Sequence, residues 1–378
     1  MLRKVRNYLK QYAEIFYMLY FLPLAGCVAM GISSTQLIYR LVFAVAVLFL
    51  LMKLAVTDYT GKEFLLMAAV MTLLGYVFYR TREKSLIITA VSIFGCKDVD
   101  VKKVLKYTVL VYILGMAIII GLVMAGKVQG EIHELAKGGV RYNINDFGFS
   151  HPNSAYNHLL MIGLMAIVAW GKELHWYHYG IMTAAMFIGY KVFLSRTGLL
   201  IYFILCAALI LVYMVKWKKA RRALGFVWAL LPLGTAIASY VLPVLFPKNI
   251  EFVKKVNEYI TGRISLSFKA LESADLTWFG ATDRPWERGY YIDNAYMNIL
   301  LSCGIFLCLL WVISLFLAAY YYWKTEQYYI LIAIGIISIY GFMEYSVVNV
   351  TWNPILLFLT GSIFKEAKNI ERSSAHSL

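Results

Sequence analysis

The chain has 378 residues, of which 61% are hydrophobic and 15% charged, and its mean hydropathy is +0.68. Soluble domains are nearer half apolar and a quarter charged, so this composition excludes an ordinary soluble class. The net charge of +15 is dispersed over short loops rather than gathered on one soluble face, which argues against nucleic-acid binding. Five cysteines without CxxC spacing give neither a zinc site nor a disulfide framework.

The apolar residues fall in runs long enough to cross the hydrocarbon of a bilayer as helices, which takes roughly 17–25 residues. Alternating ten-residue segments, which are typical of membrane β-barrels, are absent. We therefore predict an all-α polytopic membrane protein, a single transmembrane domain over residues 1–378 with about twelve transmembrane helices. The predicted spans cover residues 13–31, 37–53, 63–79, 85–96, 105–126, 154–171, 176–194, 197–215, 224–246, 295–322, 327–345 and 353–364.

Basic residues set the predicted orientation, because cytoplasmic loops of membrane proteins carry an excess of Lys and Arg. Twelve spans place four basic clusters on one side, which predicts cytoplasmic N- and C-termini. Arg80, Arg82 and Lys84 do not fit this pattern, and a re-entrant pair of the third and fourth spans is the alternative. The four clusters lie at residues 3–10, 97–106, 216–222 and 365–372.

Two longer loops, at about 127–153 and 247–294, then face outward. The second loop contains an amphipathic pattern over residues 249–260 that is broken at Gly262, and a further short helical pattern follows it. We expect two short helices in this loop, placed over the membrane surface as a lid.

Polar residues collect at the predicted outer ends of four helices, where polar groups against a membrane commonly mark function. The first group lies at the start of the sixth span, where Pro152 suits the first turn of a helix. Side chains four residues apart then form a polar stripe on that helix. Helix capping and a packed histidine are the alternative explanation. The group comprises Arg141, His151, Asn153, Ser154, Asn157 and His158.

Three other groups follow along the chain. Ser195 and Arg196 lie in the tight turn between the seventh and eighth spans, where a guanidinium offers a fork of donors that matches phosphate oxygens. Asp293 and Asn294 enter the tenth span; Asp293 suits either a helix N-cap or a carboxylate base. Glu344, before the last span, suits a base, a sugar contact or a partner for an arginine.

Three strings resemble the bacterial polysaccharide polymerases of the Wzy type and, more broadly, the O-antigen polymerase and ligase superfamily. They are GFSHPNSAYNHLL at 148–160, FLSRTGLL at 193–200 and IDNAYMNILLSCGIF at 292–306. The resemblance implies a GT-C-like membrane glycosyltransferase that needs no metal or other cofactor. Its substrates would be undecaprenyl-diphosphate-linked oligosaccharides, joined on the outer face of a bacterial plasma membrane, with the lipid diphosphate as leaving group. A flippase and a chain-length regulator of the same pathway would be its partners.

The resemblance also implies roles for individual residues. Arg196 and Arg288 match the arginines expected to bind the diphosphate, with Arg141 as a third. Related ligases have a histidine where IDNAY stands here, so Asp293 is the first choice for the catalytic base and His151 the second. The remaining polar side chains would line the substrate, together with Tyr291. Those predicted to line it are Asn153, Asn157, His158, Ser195, Asn294, Tyr291 and Glu344.

Two other functions stay open at this point. One is a ligase that transfers glycan to a lipid or protein acceptor, and the other is a transporter or flippase for lipid-linked oligosaccharide. Clusters confined to the outer ends favour an enzyme over a transporter, which would carry charges through both leaflets. A metal site built from Asp146, His151 and His158 lacks ligand spacing, so we predict none.

Overall fold

The computed structural model describes residues 2–137, 140–281 and 292–364, and within these ranges the chain is almost entirely helical. Its contacts group into two compact units. Unit 1 comprises residues 1–58 and 95–206, and unit 2 comprises residues 59–94 and 207–378. A single membrane domain over the whole chain stays a prediction.

Unit 1 contains six complete α-helices, the start of a seventh and one antiparallel hairpin. Its elements are α1 (Leu2–Lys10), α2 (Ala13–Ala29), α3 (Leu37–Val56), α6 (Val101–Met124), β1 (Ile132–Lys137), β2 (Val140–Asn145), α7 (Pro152–Trp170), α8 (Trp176–Phe193) and the first part of α9 (Arg196–Met214). The hairpin lies in the first long loop, for which no strand was predicted from the sequence. Its register pairs Ile132 with Asn145 and Lys137 with Val140.

In its described residues, unit 2 contains the rest of α9 and nine further α-helices. These are α4 (Gly61–Thr81), α5 (Ser85–Gly95, whose last residue belongs to unit 1), α10 (Lys218–Leu245), α11 (Glu251–Tyr259), α12 (Arg263–Ser273), α13 (Ala295–Asn298), α14 (Ile305–Lys324), α15 (Tyr328–Gly341) and α16 (Leu359–Phe364). The two short helices predicted for the second loop are confirmed as α11 and α12. They are separated by Gly262, whose φ is +82°.

Helix lengths support membrane spans but not the predicted number. Seven helices of the described chain are long and apolar enough to cross a membrane: α3, α4, α6, α7, α9, α10 and α14. The other predicted spans also contain helix, but α2, α5 and α15 are shorter. An eleven-residue helix such as α5 rises only about 16 Å, so it cannot cross the hydrocarbon alone. Several helices suited to crossing a membrane are therefore present among the described residues, and the count of twelve is not confirmed.

The apolar surface of α3 shows why these helices suit lipid. Leu37, Leu41, Val45 and Leu48 follow one another at helical spacing and are each more than half exposed. A soluble protein rarely exposes such a continuous apolar stripe, whereas hydrocarbon tails accept it. The exposed face of α3 is thus typical of a helix that contacts lipid.

The predicted tenth span is broken rather than continuous. α13 passes into one π-helical turn at Ile299–Cys303, and the chain then bends at Gly304, whose φ is +92°. The first N–H groups of α14 gain partners from the preceding loop, because Ile305 donates to the Thr277 carbonyl at 2.9 Å and Phe306 donates to Trp278 at 3.2 Å. The break therefore seats the end of the second outer loop on the start of α14.

Candidate functional site

A buried carboxylate organises the first long loop, residues 127–153, which is predicted to face outward and is therefore called the first outer loop. The Asp146 side chain is almost completely buried, and its Oδ1 accepts hydrogen bonds from the backbone N–H groups of Glu131 and Gly148, both at 2.9 Å. Its Oδ2 lies 3.2 Å from Nε2 of His133 on β1. From the sequence, Asp146 was considered as a metal ligand together with His151 and His158. In the structure its carboxylate lies close to the side-chain donor atoms of His133 and Glu131 instead.

His151 begins α7 as its N-cap. The backbone N–H of Asn153 donates to Nδ1 of His151 at 3.0 Å, and the His151 ring meets the His133 ring edge-on at 5.3 Å between centroids. A neutral imidazole that accepts at Nδ1 carries its proton on Nε2. In this arrangement the His151 lone pair is used in capping, so the predicted role as a base would require the cap to open.

The polar stripe of α7 turns into the protein. His158 is 1% exposed, and its ring nitrogens lie 2.7 Å from the Ser154 carbonyl oxygen and 3.0 Å from that of Val28 on α2. Asn157 is similarly buried, whereas Asn153 is half-buried. His158 is thus the packed histidine that the sequence analysis named as the alternative. Substrate would reach it only by displacing its contacts between α7 and α2.

Arg196 is the first residue of α9 and its side chain is exposed. Within the described ranges, no salt bridge involves its guanidinium. The turn before it is fixed by Leu194 in the left-handed region, and Ser195 is buried. Gly198 lies so close to α7 that a Cβ there would be 2.3 Å from the Tyr156 ring.

The starts of α7 and α9 lie at the same end of unit 1. α8 runs antiparallel to α7, because Gly163 faces Met186 while Gly189 faces Leu159. The chain then reverses once more into α9. The exposed Arg196 guanidinium consequently shares an end of the unit with the His151 cap and with the loop before it.

Arg141 is a surface residue of β2. Its Nη1 lies 3.0 Å from Oε1 of Glu134, and the two side chains are 79% and 55% exposed. A pair this exposed contributes little to stability. Since its fork already faces a carboxylate, the structure gives no support to the predicted third diphosphate contact at Arg141.

In unit 2 Asp293 is held by an arginine that the sequence analysis did not single out. Arg263, at the start of α12, is only 7% exposed, and its Nε donates to Oδ2 of Asp293 at 3.2 Å. The Asp293 side chain itself is 46% exposed. The N-cap of α13 is Asn294, whose Oδ1 accepts from the N–H groups of Tyr296 and Met297. Capping, the alternative role named for Asp293, thus belongs to its neighbour.

The other predicted contacts have mixed positions. Asn294 is buried in its capping role, and Glu344 lies partly exposed just before the short 3₁₀ helix Tyr345–Val348. Arg288 and Tyr291 lie outside the described residues. The roles of these two side chains stay predictions.

Comparison with known proteins adds no relatives. A scan against protein-family models, a search of curated proteins and a search of solved structures each find no match to this chain.

Proposed function

We propose that the chain is a membrane glycosyltransferase that polymerises undecaprenyl-diphosphate-linked oligosaccharide repeats on the outer face of a bacterial plasma membrane. The observation that carries the proposal is the exposed guanidinium of Arg196, which has no salt-bridge partner within the described residues and stands at the first position of α9. Arg141 and Arg263, in contrast, each face a carboxylate. Arg196 thus has a fork that no described carboxylate occupies, and it shares an end of unit 1 with His151.

Phosphate recognition suits this position for two reasons. A guanidinium matches phosphate oxygens bidentately, and the N-terminal N–H groups of a helix attract anions. Negative charge grows on the diphosphate as it leaves the sugar, so a preorganised cation stabilises the transition state more than the ground state. In the proposal Arg196 binds the diphosphate, and Arg288 is the second arginine that the family resemblance assigns.

The acceptor sugar needs a base, for which Asp293 is the first choice. Its carboxylate is half exposed, and one oxygen is oriented by the buried Arg263. In the proposed step Asp293 takes the proton of the acceptor hydroxyl, whose oxygen bonds to the anomeric carbon of the donor. The bond from that carbon to the phosphate oxygen breaks, and its electron pair leaves with the lipid diphosphate. His151 remains the second choice.

The proposal is tested with purified protein and a defined undecaprenyl-diphosphate oligosaccharide, in the absence of nucleotide sugar. We expect a ladder of products spaced by whole repeats. Arg196→Lys keeps the charge but loses the fork, so its initial rate should fall about 10- to 100-fold, the equivalent of one strong charge-assisted hydrogen bond.

The matched control is Arg40→Lys. Arg40 is also an exposed arginine in the first turn of a unit 1 helix, α3, and should tolerate the change with an unaltered rate. Equal rates for wild type and Arg196→Lys would remove Arg196 as a bidentate ligand. Movement of intact lipid-linked sugar across liposomes without a ladder would support the flippase, and transfer to a different lipid or a protein would support the ligase.

A further inference from the structure

The first outer loop gathers three side chains of metal-ligand type. Glu131, His133 and Asp146 each offer one donor atom, and these atoms all lie within 4.8 Å of one another. The set combines one imidazole with two carboxylates, in contrast to a purely acidic surface cluster. The proposed glycosyl transfer uses none of these residues.

The distance between two of the donors fits shared coordination. Zinc binds His nitrogen and Asp oxygen at about 2.0–2.2 Å, so two such ligands at a tetrahedral angle lie about 3.3 Å apart. Nε2 of His133 and Oδ2 of Asp146 are 3.2 Å apart. A cation between them would replace the direct contact between these two atoms.

The backbone holds the donors in this arrangement. Glu131 directly precedes β1, where its carbonyl accepts from the Asp146 N–H, and His133 is the second residue of β1; side chains two residues apart along a strand share a face. The two N–H groups that donate to Oδ1 of Asp146 leave its Oδ2 directed at His133. Outer hydrogen bonds of this kind orient the ligands of metal sites in proteins.

We propose that Glu131, His133 and Asp146 bind one divalent first-row transition metal, with Zn²⁺ as the preferred ion. An imidazole ligand favours such metals over Mg²⁺ and Ca²⁺, which prefer oxygen donors. The two carboxylates balance the charge of the cation, and water completes its coordination. His151 is not a ligand, because its Nδ1 accepts from Asn153 and its Nε2 then carries the proton.

The role of the metal is structural. It joins the chain before β1 to the chain after β2, and the His133 ring packs on His151 at the start of α7. The ion would therefore fix the first outer loop against the start of α7. It takes no part in the transfer step, so either proposal can fail without the other.

The test measures metal binding and loop protection, with no activity assay. Purified protein is stripped with a chelator and titrated with Zn²⁺ and with Co²⁺, whose visible spectrum reports its ligands. We expect one equivalent per chain and slower hydrogen exchange over residues 127–151. His133→Asn and Glu131→Gln should each weaken binding at least about tenfold, which is about 1.4 kcal/mol.

Glu134→Gln is the matched control and should bind as wild type does, because Glu134 is adjacent to His133 on β1 and its carboxylate faces Arg141. Glu131 is exposed, so its substitution tests the site without endangering the fold. Absence of a stoichiometric Zn²⁺ site in the wild type would overturn the proposal. Equal binding by wild type, His133→Asn and Glu131→Gln would overturn it as well.

Discussion

The Asp293 carboxylate shares an ion pair with a guanidinium that lies almost wholly inside unit 2. Arg263 is 8% exposed at its side chain and Asp293 is 46% exposed, so one partner belongs to the interior and the other faces outward. Leaving a buried arginine unpaired is costly. Asp293 thus has a structural role, as the ion-pair partner of Arg263, in addition to its proposed role as the catalytic base. An experiment has to separate these two roles.

Asp293→Asn makes that separation. The amide still accepts from Nε of Arg263 but cannot take a proton, so we expect the polymerisation rate to fall at least about 100-fold, the lower range of general-base catalysis. Rates are measured by ladder formation and folding by thermal unfolding in the same detergent. Asp275→Asn, at an exposed position of the same loop, should retain full activity. Wild-type activity in Asp293→Asn with only a lowered melting temperature would leave Asp293 as a purely structural partner.

Candidate site residues could be named from the sequence where side-chain type alone carries the argument, and their roles stay predictions. Arg196 and Asp293 stood out because each is a charged group beside an apolar span. Arg263 did not, since its partner lies 30 residues away and only the fold brings them together. His133 was missed for the same reason, being paired with Asp146 across a hairpin that was not predicted.

At the scale of elements, two glycines form the joint between the second outer loop and α14. Gly304 has φ +92° and ψ 170°, a backbone region that is essentially restricted to glycine. A Cβ on Gly304 would lie 2.4 Å from the Gly280 nitrogen, and one on Gly280 would lie 2.6 Å from the Ser302 carbonyl oxygen. The two backbones can approach this closely only because neither residue has a side chain.

We expect Gly304→Ala to destabilise the protein by about 1–3 kcal/mol from backbone strain alone, and more once the contact with Gly280 is included. The measurement is the midpoint of thermal unfolding in detergent. Gly75→Ala, in the interior of α4 with open space around it, should be neutral or stabilising by up to about 1 kcal/mol. An unchanged midpoint in Gly304→Ala would show that the joint tolerates a side chain.

Helices were largely predictable because long apolar runs determine them. α3, α6, α7 and α9 each begin and end within a few residues of a predicted span. The break at Gly304 was not predictable, since glycine is common in unbroken membrane helices. The hairpin had a usable signal in Gly138–Gly139 between two short runs, a pattern typical of two-residue β-turns.

At the scale of the whole molecule, the predicted orientation rests on the basic clusters. α6 separates Lys102, in a cluster predicted to be cytoplasmic, from the first outer loop. A helix of 24 residues rises about 36 Å, enough to place its two ends on opposite sides of the hydrocarbon.

A membrane-impermeant thiol reagent tests this orientation in whole cells. Glu134→Cys should be labelled from outside and Lys102→Cys only after the membrane is permeabilised, because both positions are exposed, Lys102 lies in the first turn of α6 and Glu134 lies beyond its last turn. The wild type controls for its own thiols, of which Cys27, Cys96 and Cys303 are buried. The reverse pattern would invert the topology and remove the outward-facing enzyme with it.

The membrane class was predictable at this scale because composition alone separates lipid-embedded chains from soluble ones. The number of spans was not, since short apolar helices such as α5 and α15 have the composition of a span without its length. Whether an apolar helix is long enough to span the hydrocarbon depends on where it ends. Local turns and bends of the chain determine that end point.

The unequal burial of the unit 1 helices has a consequence for how fast their residues are substituted during evolution. In α7 and the turn after it, 72% of the most apolar stretch is buried, against 22% in α3. Lipid tails accept any large aliphatic side chain, so the exposed face of α3 is free to exchange Leu, Ile, Val and Phe among distant relatives. α7 has less such freedom, because most of its residues are buried against particular neighbours, as Gly163 is against Met186. Sequence similarity among distant relatives should therefore persist longest around residues 152–170, where one of the three motif strings lies. It should be lost first in the helices that face lipid.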